Sequence, residues 1–220
     1  ITGEIFQSQL FNAQYINCLN FVIEGGSIES DGKGTLLTTS ECLLSPNRNG
    51  AWNKDQIEQY LKENLGISRI LWLDHGFLEG DDTDSHIDTL ARFCPNDTIA
   101  YIQCNDPKDH HYKALKDMES QLQSFRTQDN RPFRLLPLPM ADEIVFDNER
   151  LPATYANFLI INGAVLYPTY NQPINDSRTA EILTTAFPER QIIGIDCRAL
   201  IKQHGSLHCV TMQYPKNVIK

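Results

Sequence analysis

The sequence predicts an α/β fold built from three copies of a strand-strand-helix-strand unit. Short stretches with strand-like apolar patterns are interrupted by longer stretches whose apolar residues recur at helical spacing. The same order of elements returns three times, roughly every 65 residues, which is typical of repeat architectures whose units pack on their neighbours. The alternative is an ordinary α/β sheet with a coincidental rhythm.

The first unit begins with a strand pair, residues 20–26 and 34–39, around a Ser-Asp-Gly-Lys-Gly turn. A helix follows over residues 53–66, where the apolar stripe ends at a glycine, and residues 67–73 form the returning strand. In the second unit we expect strands at 86–93, 98–104 and 133–139 and a helix at 112–125. In the third we expect strands at 157–163, 164–170 and 191–196 and a helix at 177–187. Residues 197–215 then resemble the opening of a fourth unit.

The composition indicates a soluble globular protein. A chain of 220 residues, 41% of them hydrophobic, can bury one large core or two small ones. The formal net charge of −9 and the scattered basic residues argue against nucleic acid and suit a small cationic substrate. No apolar run approaches the roughly 20 residues of a membrane-spanning helix. The first ten residues lack the pattern of a signal peptide and do not begin with Met, so we expect further sequence upstream.

The six cysteines indicate reduced thiols and a cytoplasmic location, because none forms a Cys-x-x-Cys pair. We expect no metal site, since the adjacent pairs His110-His111 and His208-Cys209 would point to opposite faces of a strand. The sequence contains no nucleotide-binding glycine motif, no Gly-x-Ser-x-Gly elbow and no His-Glu-x-x-His motif. No cofactor is therefore expected.

Each unit places a polar residue where its first strand meets a turn: Glu24, then His86 with Asp88, then Cys209. Rotation of the units about a common axis would bring these side chains to one central site. A cysteine near a histidine is the arrangement of thiol nucleophiles, and His-x-Asp on a strand places both side chains on one face. The alternatives are a buried core cysteine and an ordinary polar surface strand.

The other histidines have ordinary interpretations. His75, His110 and His111 are expected to be surface residues, because they lie at strand ends or in loops. His204 and His208 flank the cysteine and could tune it, but strand alternation would place His208 on the face opposite Cys209.

Four segments, 24–49, 80–93, 155–171 and 205–215, resemble successive motifs of the agmatine deiminase and bacterial peptidylarginine deiminase family. They include Glu-Gly-Gly, Asp-Ser-His-Ile-Asp, Asn-Phe-Leu-Ile-Ile-Asn-Gly and Gly-Ser-Leu-His-Cys, in the family's order. The resemblance implies the pentein fold, a propeller of five such units around a central pocket. It also implies hydrolysis of a guanidinium substrate through an amidino-cysteine intermediate, with agmatine first and arginine or peptidylarginine as alternatives.

The same resemblance assigns roles residue by residue. Cys209 would be the nucleophile, His86 the general acid and base, and Asp88 the carboxylate that binds the guanidinium. Glu24 of the Glu-Gly-Gly motif would join them as a catalytic and substrate-binding residue, and Gly205 before the cysteine would contact the substrate. Neither a metal nor an organic cofactor is implied.

Two departures from the family pattern matter. The loop before the cysteine is poorer in glycine, and the family's N-terminal Trp-Met-Arg-Asp motif, whose Asp also binds the guanidinium, does not occur. We therefore interpret residues 1–220 as the C-terminal part of one pentein catalytic domain, about three of five units. By itself, the chain of residues 1–220 is not expected to be a stable, active monomer, because unpaired edges would be exposed.

Rival interpretations remain at this point. One is a non-catalytic pentein-type binding protein, resembling ribosome-associated translation factors, although a binding scaffold needs no Cys-His pair. Another is an inactive remnant of the enzyme. Association into a homo-oligomer also stays open.

Overall fold

The computed structural model describes residues 2–14, 16–214 and 216–220. Its helices are α1 Thr2–Gln7, α2 Ser40–Leu43, α3 Pro46–Asn49, α4 Lys54–Leu65, α5 Tyr112–Ser124 and α6 Pro173–Ala186. Its strands are β1 Ile28–Ser30, β2 Thr35–Thr39, β3 Arg69–Leu73, β4 Ala91–Cys94, β5 Thr98–Gln103, β6 Arg134–Pro139, β7 Val145–Phe146, β8 Glu149–Arg150, β9 Leu159–Ile161, β10 Ala164–Thr169 and β11 Gln191–Asp196. Among these residues, no helix combines the length and the apolar character needed to cross a bilayer.

Three small sheets repeat one topology, which confirms the predicted strand-strand-helix-strand unit. In the first sheet, β2 pairs antiparallel with β1 and parallel with β3, and α4 connects β2 to β3. The sheets β4-β5-β6 and β9-β10-β11 have the same pattern, with α5 and α6 as their crossover helices. Each parallel pair is closed through a helix because parallel strands need a long crossover connection.

The predicted strand over residues 20–26 is wrong. The backbone N–H and C=O of Val22 bond to the side-chain amide of Asn49, at 2.9 and 2.8 Å, and not to a neighbouring strand. Residues Gly25–Ser27 then form a helical turn, in which the Ser27 N–H and hydroxyl both donate to the Glu24 carbonyl. The true first strand therefore starts at Ile28, after the two glycines.

Two further strand predictions fail for the same reason, a local side-chain hydrogen bond that closes a turn. At residues 86–89 the Thr89 hydroxyl and N–H both donate to the His86 carbonyl, and the strand starts only at Ala91. Residues His208–Val210 likewise form a helical turn, closed by the Thr211 hydroxyl and N–H on the His208 carbonyl. No strand follows Cys209 in the described part of residues 210–220.

The three units share a buried ion pair. The Arg92 Nε of β4 donates to the Glu29 carboxylate of β1 at 2.8 Å, and the second Glu29 oxygen accepts from the Phe93 N–H at 3.0 Å. The same guanidinium donates to the Phe158 carbonyl at 2.5 Å, just before β9, and lies over the Phe158 ring. The side chains of Arg92 and Glu29 are only 3% and 10% exposed, so each charge depends on its partner.

Arg92→Met is expected to lower the free energy of unfolding by about 3–5 kcal/mol, because Glu29 would remain buried without a counter-charge. The double variant Arg92→Met/Glu29→Leu should lose less than the single variant, since it removes the unpaired charge. Urea unfolding followed by circular dichroism measures both. Lys113→Met, which breaks the exposed pair with Asp117, is the control and should leave the midpoint unchanged. Equal midpoints for Arg92→Met and the wild type would contradict this account.

Candidate active site

The three units meet at an open cavity of about 770 Å³. The helical turn after Glu24, the turn at residues 86–89 and the turn at residues 208–210 all contribute to its wall. The lining includes all five residues that the sequence singled out: Glu24, His86, Asp88, Gly205 and Cys209. The structure thus brings them together, while their chemical roles stay predictions.

His86 and Asp88 face the cavity although they do not lie on a strand. Both are buried, at 9% and 1% exposure, and both approach the backbone of Gly26. A Cβ atom at position 26 would lie 2.7 Å from His86 Nδ1 and 2.8 Å from Asp88 Oδ2, closer than any side chain permits. The second glycine of the Glu-Gly-Gly motif therefore makes room for the imidazole and the carboxylate.

Two buried polar atoms in this pair have no hydrogen-bond partner, Nε2 of His86 and Oδ1 of Asp88. A buried polar atom without a partner costs about 1–3 kcal/mol, so most are satisfied in folded proteins. Atoms left in this state beside a cavity are suited to a bound polar ligand. For the carboxylate oxygen, that ligand must donate a hydrogen bond.

Glu24 already has a partner, a contact that the sequence analysis missed. Its two carboxylate oxygens accept from Nε of Arg48 at 2.9 and 3.0 Å. The remaining Arg48 nitrogens donate to the Asp84 carboxylate at 2.7 Å and to the Thr83 carbonyl at 2.8 Å. Arg48 thus ties the Glu-Gly-Gly turn to the loop that leads into His86.

That loop, residues 81–85, carries backbone strain. Asp84 and Ser85 have φ values of 59° and 60°, in the left-handed region that L residues rarely adopt. The Asp81 carboxylate accepts from the N–H groups of Thr83 and Ser85, and the Thr39 hydroxyl donates to the Ser85 carbonyl. These bonds, together with Arg48, hold the strained segment directly before His86 in place.

Cys209 lies next to Asp88 in the cavity lining. Its Sγ is 3.5 Å from Asn157 Oδ1 and 4.0 Å from Asp88 Oδ2. The residue as a whole is exposed, while its sulfur lies against Asn157 and Asp88. Loss of water around the sulfur, and then the negative charge of Asp88, raise the pKa of the Cys209 thiol above its ordinary 9.0. The cavity without a ligand therefore disfavours the thiolate form of Cys209.

The prediction that His208 points away from Cys209 and the cavity is wrong. Because residues 208–210 form a turn, the His208 side chain lines the same cavity, and its Nδ1 lies 2.8 Å from Asp88 Oδ2. Asn157, fully buried, accepts the His208 N–H on its Oδ1 at 2.8 Å and donates from Nδ2 to the Asp88 carbonyl at 3.3 Å. Asn157 lies within one of the motifs quoted above, and only the fold showed its contacts.

The remaining histidines divide into three groups. His75 and His110 are exposed, as expected. The expectation for His111 is wrong: it is 1% exposed, its Nδ1 contacts Asp109 at 2.7 Å, and its Nε2 accepts the Glu79 N–H. Burial lowers the pKa of His111, which fits a neutral structural imidazole. His204 lines the cavity, and its Nδ1 lies 2.7 Å from the Gly80 carbonyl.

A family model described as Porphyromonas-type peptidyl-arginine deiminase matches residues 2–215, almost the whole chain. The chain belongs to this family. The resemblance stated from the motifs is thereby confirmed.

Family members of known structure superpose closely on the chain. A Porphyromonas gingivalis protein, provisionally named an arginine deiminase, is 54% identical with a TM-score of 0.97. The match covers 100% of this chain and 65% of that protein. A C. jejuni agmatine deiminase, solved as a cysteine-to-serine variant with substrate bound, is 43% identical with a TM-score of 0.85. The match covers 94% of this chain and 60% of the C. jejuni enzyme.

A curated relative gives the same picture. The agmatine deiminase of Pseudomonas fluorescens is 33% identical over 213 residues, which are 89% of this chain and 57% of the relative. The chain thus spans less than two thirds of the length of these family members.

The raised pKa of Cys209 predicts its reactivity. The rate of iodoacetamide modification at Cys209, measured by peptide mass spectrometry, should rise with pH and reach half its plateau only above pH 9, because the thiolate is the reactive form. Full reactivity already at pH 7 would contradict this assignment. Wild-type thermal unfolding across the pH range is the control, since it shows that the protein remains folded.

Proposed function

We propose that the natural protein containing this sequence hydrolyses a guanidinium substrate, most readily agmatine, to a ureido product and ammonia. The observation that carries the proposal is the juxtaposition of the Cys209 thiol, the His86 imidazole and the partly unsatisfied Asp88 carboxylate in one cavity. Agmatine would give N-carbamoylputrescine.

Asp88 is placed to bind the substrate cation. Its Oδ2 contacts His208, so the unpaired Oδ1 remains to accept an N–H from a guanidinium, a charge-assisted bond. A guanidinium held there would also lie close to Cys209, because the carboxylate and the sulfur are neighbours. The positive charge of the substrate would lower the pKa of the thiol and offset the effect of Asp88. Substrate binding would therefore favour formation of the nucleophile.

The proposed reaction has two stages. The Cys209 thiolate attacks the central guanidinium carbon, and ammonia leaves with a proton delivered by His86. His86 then takes a proton from water, the resulting hydroxide attacks the amidino carbon, and the C–S bond breaks. The products are a ureido group and the regenerated thiolate. All atoms come from substrate and water, so this route needs no redox partner.

The described part of the cavity wall supports agmatine before arginine. An α-carboxylate would need a cationic partner, and the one Arg among the described lining residues, Arg92, is already bound to Glu29 and the Phe158 carbonyl. Relatives named agmatine deiminase support the same choice. Arginine is the second candidate, because the P. gingivalis relative is provisionally named an arginine deiminase.

We further propose that the three observed units belong to a five-unit pentein propeller, whose other units complete the cavity. Relatives longer than this chain support this. Glu24 would then act mainly in holding the site, since Arg48 donates to both of its oxygens and fixes their orientation.

Ammonia release by the full natural protein tests the function. The wild type should release ammonia from agmatine with a kcat/KM at least tenfold above that for arginine. Cys209→Ser should abolish ammonia release from both substrates, because a serine hydroxyl is a much weaker nucleophile than a thiolate. Cys18→Ser, a cysteine outside the cavity lining, is the matched control and should behave as the wild type. Turnover by Cys209→Ser at the wild-type rate would exclude the proposed nucleophile.

A further inference from the structure

We propose that Cys42, His86 and Glu24 form a binding site for Zn²⁺ or a similar thiophilic divalent cation at the wall of the candidate active site. One donor atom from each residue, a sulfur, an imidazole nitrogen and a carboxylate oxygen, lies within 4.8 Å of the other two. Two of these residues line the cavity, while Cys42 has no part in the reaction proposed above.

The donor set is typical of zinc. Zn²⁺ binds thiolate, imidazole and carboxylate at roughly 2.0–2.3 Å, so three such donors around one ion lie roughly 3–4 Å apart. The three donor atoms all lie within 4.8 Å of one another, so the side chains would have to draw closer around a bound ion. A mixed S, N, O set with a sulfur donor favours Zn²⁺, Cd²⁺ or Co²⁺ over Mg²⁺ or Ca²⁺, which take oxygen ligands.

The imidazole supplies an independent indication of a missing ligand. His86 is 9% exposed, and its Nε2 is buried without a hydrogen-bond partner. Its other ring nitrogen, Nδ1, faces the Gly26 side. Nε2 is the ring nitrogen that is buried without a partner, and we assign it to the metal.

Cys42 is positioned by its own helix turn. It is fully buried at the start of α2, where the Thr39 hydroxyl accepts its N–H. The Glu24 carboxylate can still bind a metal ion, because each oxygen has two lone pairs and the hydrogen bond from Arg48 uses only one of them. Arg48 also holds the carboxylate in a fixed orientation.

A metal ion bound at this site would block catalysis. This consequence rests on the proposed function. The ion would hold His86, the proposed acid and base, and would fix Glu24 beside it. The site uses a different thiol from the nucleophile, so metal binding and thiol attack are separable by mutation.

Titration of the metal-stripped protein with Co²⁺ tests the site, since a thiolate ligand gives a near-ultraviolet charge-transfer band without any need for activity. The wild type should show this band, and Zn²⁺ should displace it. Cys42→Ala should lose the band and weaken Zn²⁺ binding at least tenfold by calorimetry. Cys209→Ala should retain the band, as should Cys104→Ala, which removes another buried thiol.

A band that persists in Cys42→Ala, or that disappears in Cys209→Ala, would overturn the proposal. Circular dichroism checks the fold of each variant. Should Cys42→Ala fail to fold, His86→Gln and Glu24→Gln replace it, and unchanged Zn²⁺ affinity in both would equally overturn the site. Cobalt binding through Cys42 in a protein that releases no ammonia would refute the proposed function alone, whereas turnover without such binding would refute the metal site alone.

Discussion

The ion pair between Arg92 and Glu29 is the constraint on which the arrangement of the units depends. The guanidinium of Arg92, on β4, donates to the Glu29 carboxylate on β1 and to the Phe158 carbonyl just before β9. A single buried cation therefore connects all three sheets. A displaced unit would leave a charge buried without a partner, at a cost of several kcal/mol. Both residues line the cavity, so the bond that joins the units also forms part of the wall of the site.

Around this pair, further side-chain hydrogen bonds set the positions of the candidate site residues. Arg48 joins the turn after Glu24 to the strained loop before His86, and Asn157 joins Asp88 to the segment that carries Cys209. In each case one buried polar side chain connects two turns from different units. The site can therefore be held in place without regular secondary structure at any of its reactive residues, because the hydrogen bonds come from side chains.

The sequence predicted the units more reliably than the site geometry. Periodicity is a property of whole segments, so strands such as β5 and helices such as α5 were predicted within a few residues of their ends. The turns at Glu24, His86 and Cys209 were predicted as strands, because a few hydrogen bonds from Asn49, Thr89 and Thr211 decide the local conformation. The predicted orientation of His208 was wrong for the same reason, because it assumed a strand where residues 208–210 form a turn. Family motifs located the candidate site residues. Arg48 and Asn157 could be connected to the site only through contacts between residues far apart in the sequence.

The central claim is that Cys209 becomes covalently attached to the carbon of a guanidinium bound by Asp88. Acid quenching of the full natural protein during agmatine turnover, followed by peptide mass spectrometry, tests it directly. The account predicts an amidino adduct on the peptide that contains Cys209, and more of it in His86→Ala, where hydrolysis of the adduct is slowed. Steady turnover with no adduct on that peptide, or an adduct on a different cysteine, would contradict it.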